Sequence, residues 1–192
     1  MRIRDVKLEN FRNFRSLGLR VNQGLTVFVG GNGAGKTNFL EAVYFGCSLR
    51  RFPDSSFNQL FRDGESYFRV RIDFAEEVVK EVFSRKHDGK YQHSLKINNQ
   101  STSRTQYAAV TPIISFLPSD LNLLARSPAA RRRFLDEVLS NVFPEYRKAS
   151  DDYERTLKQR NRLWLEIQSG RRGVLENDVW DDQLVEFGSS LT

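Results

Sequence analysis

Two stretches of alternating apolar and polar residues open the chain, at 2–8 and 14–21, with Ile3, Val6 and Leu8 and then Leu17, Leu19 and Val21 as the apolar members. A two-residue period places successive side chains on opposite faces of a sheet, so these stretches predict two strands joined around Glu9-Asn10-Phe11-Arg12-Asn13. Gly24 interrupts the pattern. The run Leu25-Thr26-Val27-Phe28-Val29 is apolar almost throughout and predicts a strand buried on both faces. Phe39, Leu40, Val43 and Tyr44 then recur at helical spacing, which starts a helix near Lys36. From Tyr67 to Ile97 alternation returns, with turn signals at Asp88-Gly89 and Asn98-Asn99, and predicts an antiparallel layer. Pro112-Ile113-Ile114-Ser115-Phe116-Leu117 reads as a second buried strand.

After Pro118 the pattern is helical. Ser127-Pro128 combines an N-cap serine with a first-turn proline, and Phe134, Leu135, Val138 and Leu139 follow as one face. A longer helix is expected from Pro144 to Gln168, carrying Tyr146, Ala149, Tyr153, Leu157, Trp164 and Ile167 three or four residues apart, and Ser169-Gly170 ends it. A last helix opens near Asn177-Asp178 and its periodicity still runs at Thr192, so the sequence is expected to be cut short within a longer pattern. Trp164 and Trp180 are expected in the core.

Composition narrows the class. Thirty basic residues against twenty-four acidic ones leave a formal charge of +6 and a pI near 9.6, a moderate excess that favours an anionic partner such as nucleic acid or a nucleotide. No apolar run approaches the roughly 18 residues of a membrane span. The lone Cys47 forms no internal disulfide, which fits a reducing compartment, and reads as a small buried helix residue. His87 and His93 lie in a charged hairpin without neighbours at metal-ligand spacing, and read as surface residues.

One segment carries chemistry. Gly30-Gly31-Asn32-Gly33-Ala34-Gly35-Lys36-Thr37 fits the pattern G-x-x-x-x-G-K-S/T. Glycines let the backbone aim several N–H groups at one anion. Lys36 supplies a point charge for the β- and γ-phosphates, and the Thr37 hydroxyl is a ligand type suited to Mg²⁺. The following helix turns its positive end to the phosphates. The strand before the loop and the helix after it are the context the motif requires, so ATP and Mg²⁺ are the expected cofactors.

Other residues add up to a resemblance. Leu8-Glu9-Asn10-Phe11-Arg12-Asn13-Phe14, Lys36-Thr37-Asn38-Phe39-Leu40-Glu41-Ala42-Val43-Tyr44 and Phe116-Leu117-Pro118-Ser119-Asp120-Leu121 resemble the RecF family. So do Ser127-Pro128-Ala129-Ala130-Arg131-Arg132-Arg133-Phe134-Leu135-Asp136 and Tyr153-Glu154-Arg155-Thr156-Leu157-Lys158-Gln159-Arg160-Asn161. These motifs fall in order over nearly the whole chain. The resemblance implies an α/β fold: a P-loop ATPase lobe of the ABC type, SMC-like, with mixed and antiparallel sheets over residues 1–125, followed by the start of a helical lobe over 126–192. It implies ATP binding, ATP-dependent dimerisation, and DNA binding at single-strand/double-strand gap junctions. RecR and RecO are the implied partners, and the implied setting is DNA repair, replication, recombination and the SOS response in the bacterial cytoplasm.

The resemblance also assigns residues. Asn38 joins the loop Gly30–Thr37, Arg12 stands near a phosphate, and Asn13 near the base or ribose, against a reading of both as a solvated turn. Asp120 either replaces the glutamine that senses Mg²⁺ in such heads or caps the short helix after it. Arg131, Arg132 and Arg133, with Arg126 upstream, form the densest basic run. On a helix the three cannot share one face, so one or two would meet DNA phosphates while another pairs Asp136 or Glu137. Lys158, Arg160, Arg162, Arg171 and Arg172 form a second, diffuse set.

The sequence departs from the pattern in one respect. It contains no Ser-Gly-type signature motif and no apolar run ending in paired acids; Ser189-Ser190 lacks a following Gly-Gln, and Val179-Trp180-Asp181-Asp182 reads as a helix start. No catalytic residue is therefore assigned, and this chain is expected to bind ATP without turning it over. Two other classes are compatible with a phosphate loop. A small P-loop nucleotide or metabolite kinase would alternate strands and helices after the loop, where Tyr67–Ile97 reads as hairpins. An interaction module with a vestigial loop would not need Gly35-Lys36-Thr37 intact.

Overall fold

The computed structural model describes residues 1–53, 55–125, 127–169, 178–189 and 191, and the side chains of these except 122–125 and 178–179. It separates into two compact units, Met1–Ser115 and Phe116–Thr192, where the sequence placed a boundary near 125.

In the first unit, strands β1 (Ile3–Phe11) and β2 (Phe14–Arg20) form the opening hairpin. Helix α1 (Lys36–Ser48) follows the glycine-rich loop, and β3 (Tyr67–Phe74), β4 (Val79–His87), β5 (Lys90–Ile97) and β6 (Gln100–Ser101) form a meander. The strands make one six-stranded sheet in the order β2-β1-β3-β4-β5-β6, antiparallel at every pairing. Alternation fixes the register. Val6 and Leu8 of β1, Phe68, Val70, Ile72 and Phe74 of β3, and Val82 of β4 turn inward and are buried, and a one-residue slip would expose that whole set.

Helix α1 lies on this inner face. At Gly46 an added Cβ would stand 2.7 Å from both Ile72 Cδ1 and Val70 Cγ1, so glycine is what lets the helix seat on β3. Phe11, Phe45, Phe57, Phe61 and Phe68 close the core in edge-on and tilted ring pairs. Cys47 is buried on α1, and burial raises its thiol pKa.

A buried cation ties α1 to the short helix α2 (Arg104–Ala109). Lys80 is fully buried, and its Nζ donates at 2.7 Å to Cys47 O, Tyr107 O and Thr111 Oγ1 while sitting 4.0 Å from the centre of the Tyr107 ring. The ammonium satisfies backbone carbonyls near the negative end of α1. Neither α2 nor the 3₁₀ turn Phe57–Leu60 was anticipated from the sequence.

Two expected strands do not join a ladder. Residues 25–29 and 112–117 have no strand partner among the described residues, so the mixed sheet expected around the loop is not formed there. Leu25, Val27 and Val29 are 89%, 68% and 87% exposed, and Ile114 is 59% exposed. Thr26 and Phe28 turn inward, and the Phe28 ring lies 4.7 Å from that of Phe39 on α1. An apolar run records that a segment is meant to be covered; it does not say which polypeptide covers it.

The second unit is helical. A 3₁₀ stretch, Pro118–Ala125, precedes α3 (Pro128–Val142), α4 (Pro144–Gln168) and α5 (Asp178–Ser189). The Ser127 Oγ accepts from Ala130 N, the cap its sequence position implies. Buried Arg147 fastens α4 to the end of α3 by donating to Ser140 O at 2.7 Å and to Asn141 Oδ1 at 2.9 Å. Arg160 on α4 pairs with Asp181 on α5 at 2.5 Å. Trp164 is 43% exposed, against its expected place in the core; it follows the buried Leu163 and is turned about 100° from it around the helix.

Candidate nucleotide-binding site

The phosphate loop is open on its outer side. Gly30, Gly31, Asn32, Gly33 and Ala34 are exposed, and a Cβ placed at Gly31 or Gly33 would meet nothing within 4 Å. Gly33 has φ +80° and Gly35 φ +98°, the left-handed region that glycine enters without strain. Gly35 is the N-cap of α1 and is buried beneath the β1–β2 turn; a Cβ there would lie 2.7 Å from Phe14 Cζ and 2.8 Å from Asn13 Nδ2. Both conformation and space exclude a side chain at this position.

Lys36 bridges the loop from its first helical position. Its Nζ donates to Gly30 O and Gly31 O, each at 2.7 Å, which draws the ammonium back over the loop. Thr37 is exposed in the first turn of α1 and its hydroxyl makes no hydrogen bond within the described residues. Asn38 Nδ2 donates to Asn13 Oδ1 at 2.8 Å, so the β1–β2 turn is fastened to the start of the helix. The β1–β2 turn and the first turn of α1 thus bring Asn13 and Asn38 together.

Arg12 is engaged with α1 and with Ser55. In the left-handed region at φ +55°, it donates from Nε to Glu41 Oε2 at 2.7 Å, pairs with the same oxygen through its terminal nitrogen at 2.6 Å, and reaches Ser55 Oγ at 2.6 Å. Glu41 is only 2% exposed, and its other oxygen, Oε1, is buried without a partner. Sequence reasoning passed over Glu41. The available signal was a carboxylate on the buried stripe of α1, four residues before the buried Phe45, a position that demands a cation.

The remaining candidates belong to the second unit. The carboxylate of Asp120 accepts from Leu117 N at 2.8 Å, while Asp120 N donates back to Leu117 O at 2.8 Å, an arrangement that caps the 3₁₀ stretch. On α3, Arg132 and Arg133 are exposed and Arg131 is half-buried. Of the diffuse set, Lys158, Arg160 and Arg162 pair with Glu154, Asp181 and Glu166. Arg126, Gly170, Arg171, Arg172, Asn177, Ser190 and Thr192 lie outside the described residues. His87 is exposed beside Asp88, and His93 is exposed too, its Nδ1 3.0 Å from Ser84 Oγ. Among the described residues no group of three or more His, Cys, Asp and Glu gathers for a metal, and no helix is long and apolar enough to cross a membrane.

A left-handed glycine capping a helix, a lysine folded over the glycine-rich turn before it, and an exposed threonine next in line define a P-loop nucleotide-binding domain. The family described as the AAA domain matches residues 5–176, and the chain belongs to that family. More particularly, the chain is homologous to the N-terminal half of RecF, the DNA replication and repair protein. It is 33% identical to the protein of that name from Chlorobium luteolum over 100% of the chain and 53% of the relative, and 34% identical to that from Heliobacterium modesticaldum over 96% and 50%. The structure of the recombination mediator RecF with ATP superposes with a TM-score of 0.83 at 26% identity, over 99% of this chain and 52% of that one. An SMC ATPase structure shares the fold with a TM-score of 0.59 at 20% identity, over 72% of this chain and 99% of that one. The chain spans about half the length of the curated relatives it matches.

Proposed function

We propose that this chain is the nucleotide-binding portion of an ATP-gated, DNA-binding recombination mediator of the RecF type. The observation that carries the reading is the loop itself: Lys36 lies across the Gly30 and Gly31 carbonyls, with the open backbone of Gly31–Gly33 before it and the positive end of α1 behind it. These residues fit ATP and Mg²⁺. Lys36 would exchange two carbonyl acceptors for phosphate oxygens, the backbone amides and α1 would hold the anion, and Thr37 would offer its unengaged hydroxyl to Mg²⁺. Asn13, fastened to Asn38 beside Gly35, is placed to position the rest of the nucleotide. Arg12 acts through Glu41 in this reading, holding the β1–β2 turn to α1.

ATP serves as a dimerisation switch in the proposed mechanism, with the loop as one half of a composite site. DNA, RecR and RecO are the partners of the complete protein, which works in the bacterial cytoplasm. Arg132 and Arg133, exposed on α3, are the candidate DNA-phosphate contacts, and Asp120 serves as a helix cap. Exposed Leu25, Val27 and Val29 support a further element: in a polypeptide as long as the relatives, later strands would pair with residues 25–29. Each such side chain forgoes about 1.5–3 kcal/mol by staying in water.

The reading is tested by thermal unfolding with and without nucleotide. MgATP at a hundred times its dissociation constant should stabilise the parent chain by about 2.7 kcal/mol. In Thr37→Val the advantage of MgATP over metal-free ATP should shrink, while turnover by the chain stays near background. No shift of the parent's melting temperature, or rapid turnover, would count against the proposal.

A further inference from the structure

The far edge of the first unit's sheet is open. Beyond β5 the only neighbour among the described strands is β6, which pairs through Lys96–Ser101 and Ile97–Gln100, with one more bond from Thr102 N to Leu95 O. Residues 90–94 have β4 on one side and no strand on the other among the described residues, and residues 90–93 are exposed. The bond at Leu95 O sets the phase. With a period of two, Tyr91 and His93 also direct their backbone N–H and C=O groups to the open side.

A small cavity lies under that edge. It measures about 210 Å³ and is floored by Phe45, Phe57, Val82 and Leu95. This is below the ~300–1,000 Å³ of small-molecule sites and suits a single apolar side chain. Arg51 and Arg104 line it as well, and none of its lining residues among the described ones is acidic. Among the described residues they bond to carbonyls, Arg51 to Ser55 O at 2.6 Å and Arg104 to Leu49 O at 3.3 Å. Each guanidinium keeps donors in hand and has no carboxylate partner among the described residues. His93 forms part of the wall, and burial first, then the charge of Arg104, lowers its pKa toward the neutral form. An apolar hole rimmed by two cations, beside backbone groups without a strand partner among the described residues, is complementary to an extended segment carrying both apolar and acidic side chains.

We propose that the β5 edge and this cavity together dock an acidic, extended segment of a partner protein: the segment pairs with Tyr91 and His93 as an added strand, places one apolar side chain in the cavity, and sets the carboxylate two residues along, on the same face, between Arg51 and Arg104. Main-chain pairing supplies affinity in such strand addition, and the pocket supplies selectivity. Lys86, Lys90 and Lys96 along the β4–β5 hairpin favour the same charge. The inference is independent of the nucleotide site.

The test uses a fluorescein-labelled eight-residue peptide that alternates Leu with Glu along one strand face, two residues apart, with Thr at the positions between, titrated with the chain and followed by polarisation. The peptide should bind, and its Lys-for-acid counterpart should not. The exposed Arg104, changed to Glu (R104E), should weaken binding about tenfold with the melting temperature unchanged. N-methylation of the alternate peptide amides that face β5 should abolish binding, while methylation of the other set should not. Hydrogen exchange at 91 and 93 should slow when the acidic peptide is added. Equal binding of both peptides, indifference to R104E and N-methylation, or amides at 91 and 93 already protected without peptide by the protein's own polypeptide would each overturn the proposal.

Discussion

Arg12 shows how far a residue's role is set by partners distant in sequence. In the structure its guanidinium joins Glu41 and Ser55 through Nε and one terminal nitrogen. That pairing joins residues 29 positions apart, and no local pattern encodes it. Loop residues 30–37 were legible because their chemistry is contiguous. The pair makes a sharp prediction. Arg12→Ala leaves a buried carboxylate without its cation and should cost about 3–5 kcal/mol, toward the lower end because Arg12 is 20% exposed. Removing both partners in Arg12→Ala/Glu41→Ala should cost less than the sum of the single changes; urea unfolding of the three variants measures the difference. Gly35→Ala, which would press a methyl to 2.7 Å from the Phe14 ring at φ +98°, should lower stability by about 1–3 kcal/mol and weaken nucleotide binding, as paired unfolding and binding titrations would show.

At the scale of elements, periodicity recovered what local contacts decide. The opening hairpin, α1 from Lys36, the β3–β5 meander and the helices from Pro128 and Pro144 all lie where the pattern put them. Residues 25–29 have the composition of a buried strand, and composition carries no information about the partner strand. The short α2 escaped because six residues hold too few turns to display a period. The seat of α1 on β3 depends on Gly46, so Gly46→Ala should destabilise the chain by about 1–3 kcal/mol through overpacking against Val70 and Ile72. Urea unfolding should show an earlier midpoint with an unchanged slope.

For the whole molecule, stability should depend on pH through His93. Its folded-state pKa is lowered from 6.5 by burial and the Arg104 charge, so the unfolded chain binds a proton more readily. The contribution is fully present above about 6.5 and is lost as pH falls from there toward the folded value. Melting temperatures between pH 7.5 and 5 should fall less steeply in His93→Asn than in the parent, if that variant retains the fold; an identical slope in the two would assign the dependence elsewhere. The RecF-type reading rests above all on what Lys36 does when nucleotide arrives. Titration of MgATP into the parent chain and into Lys36→Ala, with matched circular dichroism spectra, tests it directly. Saturable binding by the parent, weakened at least about tenfold in the variant, is the expected result; equal affinity in the two proteins would contradict the site.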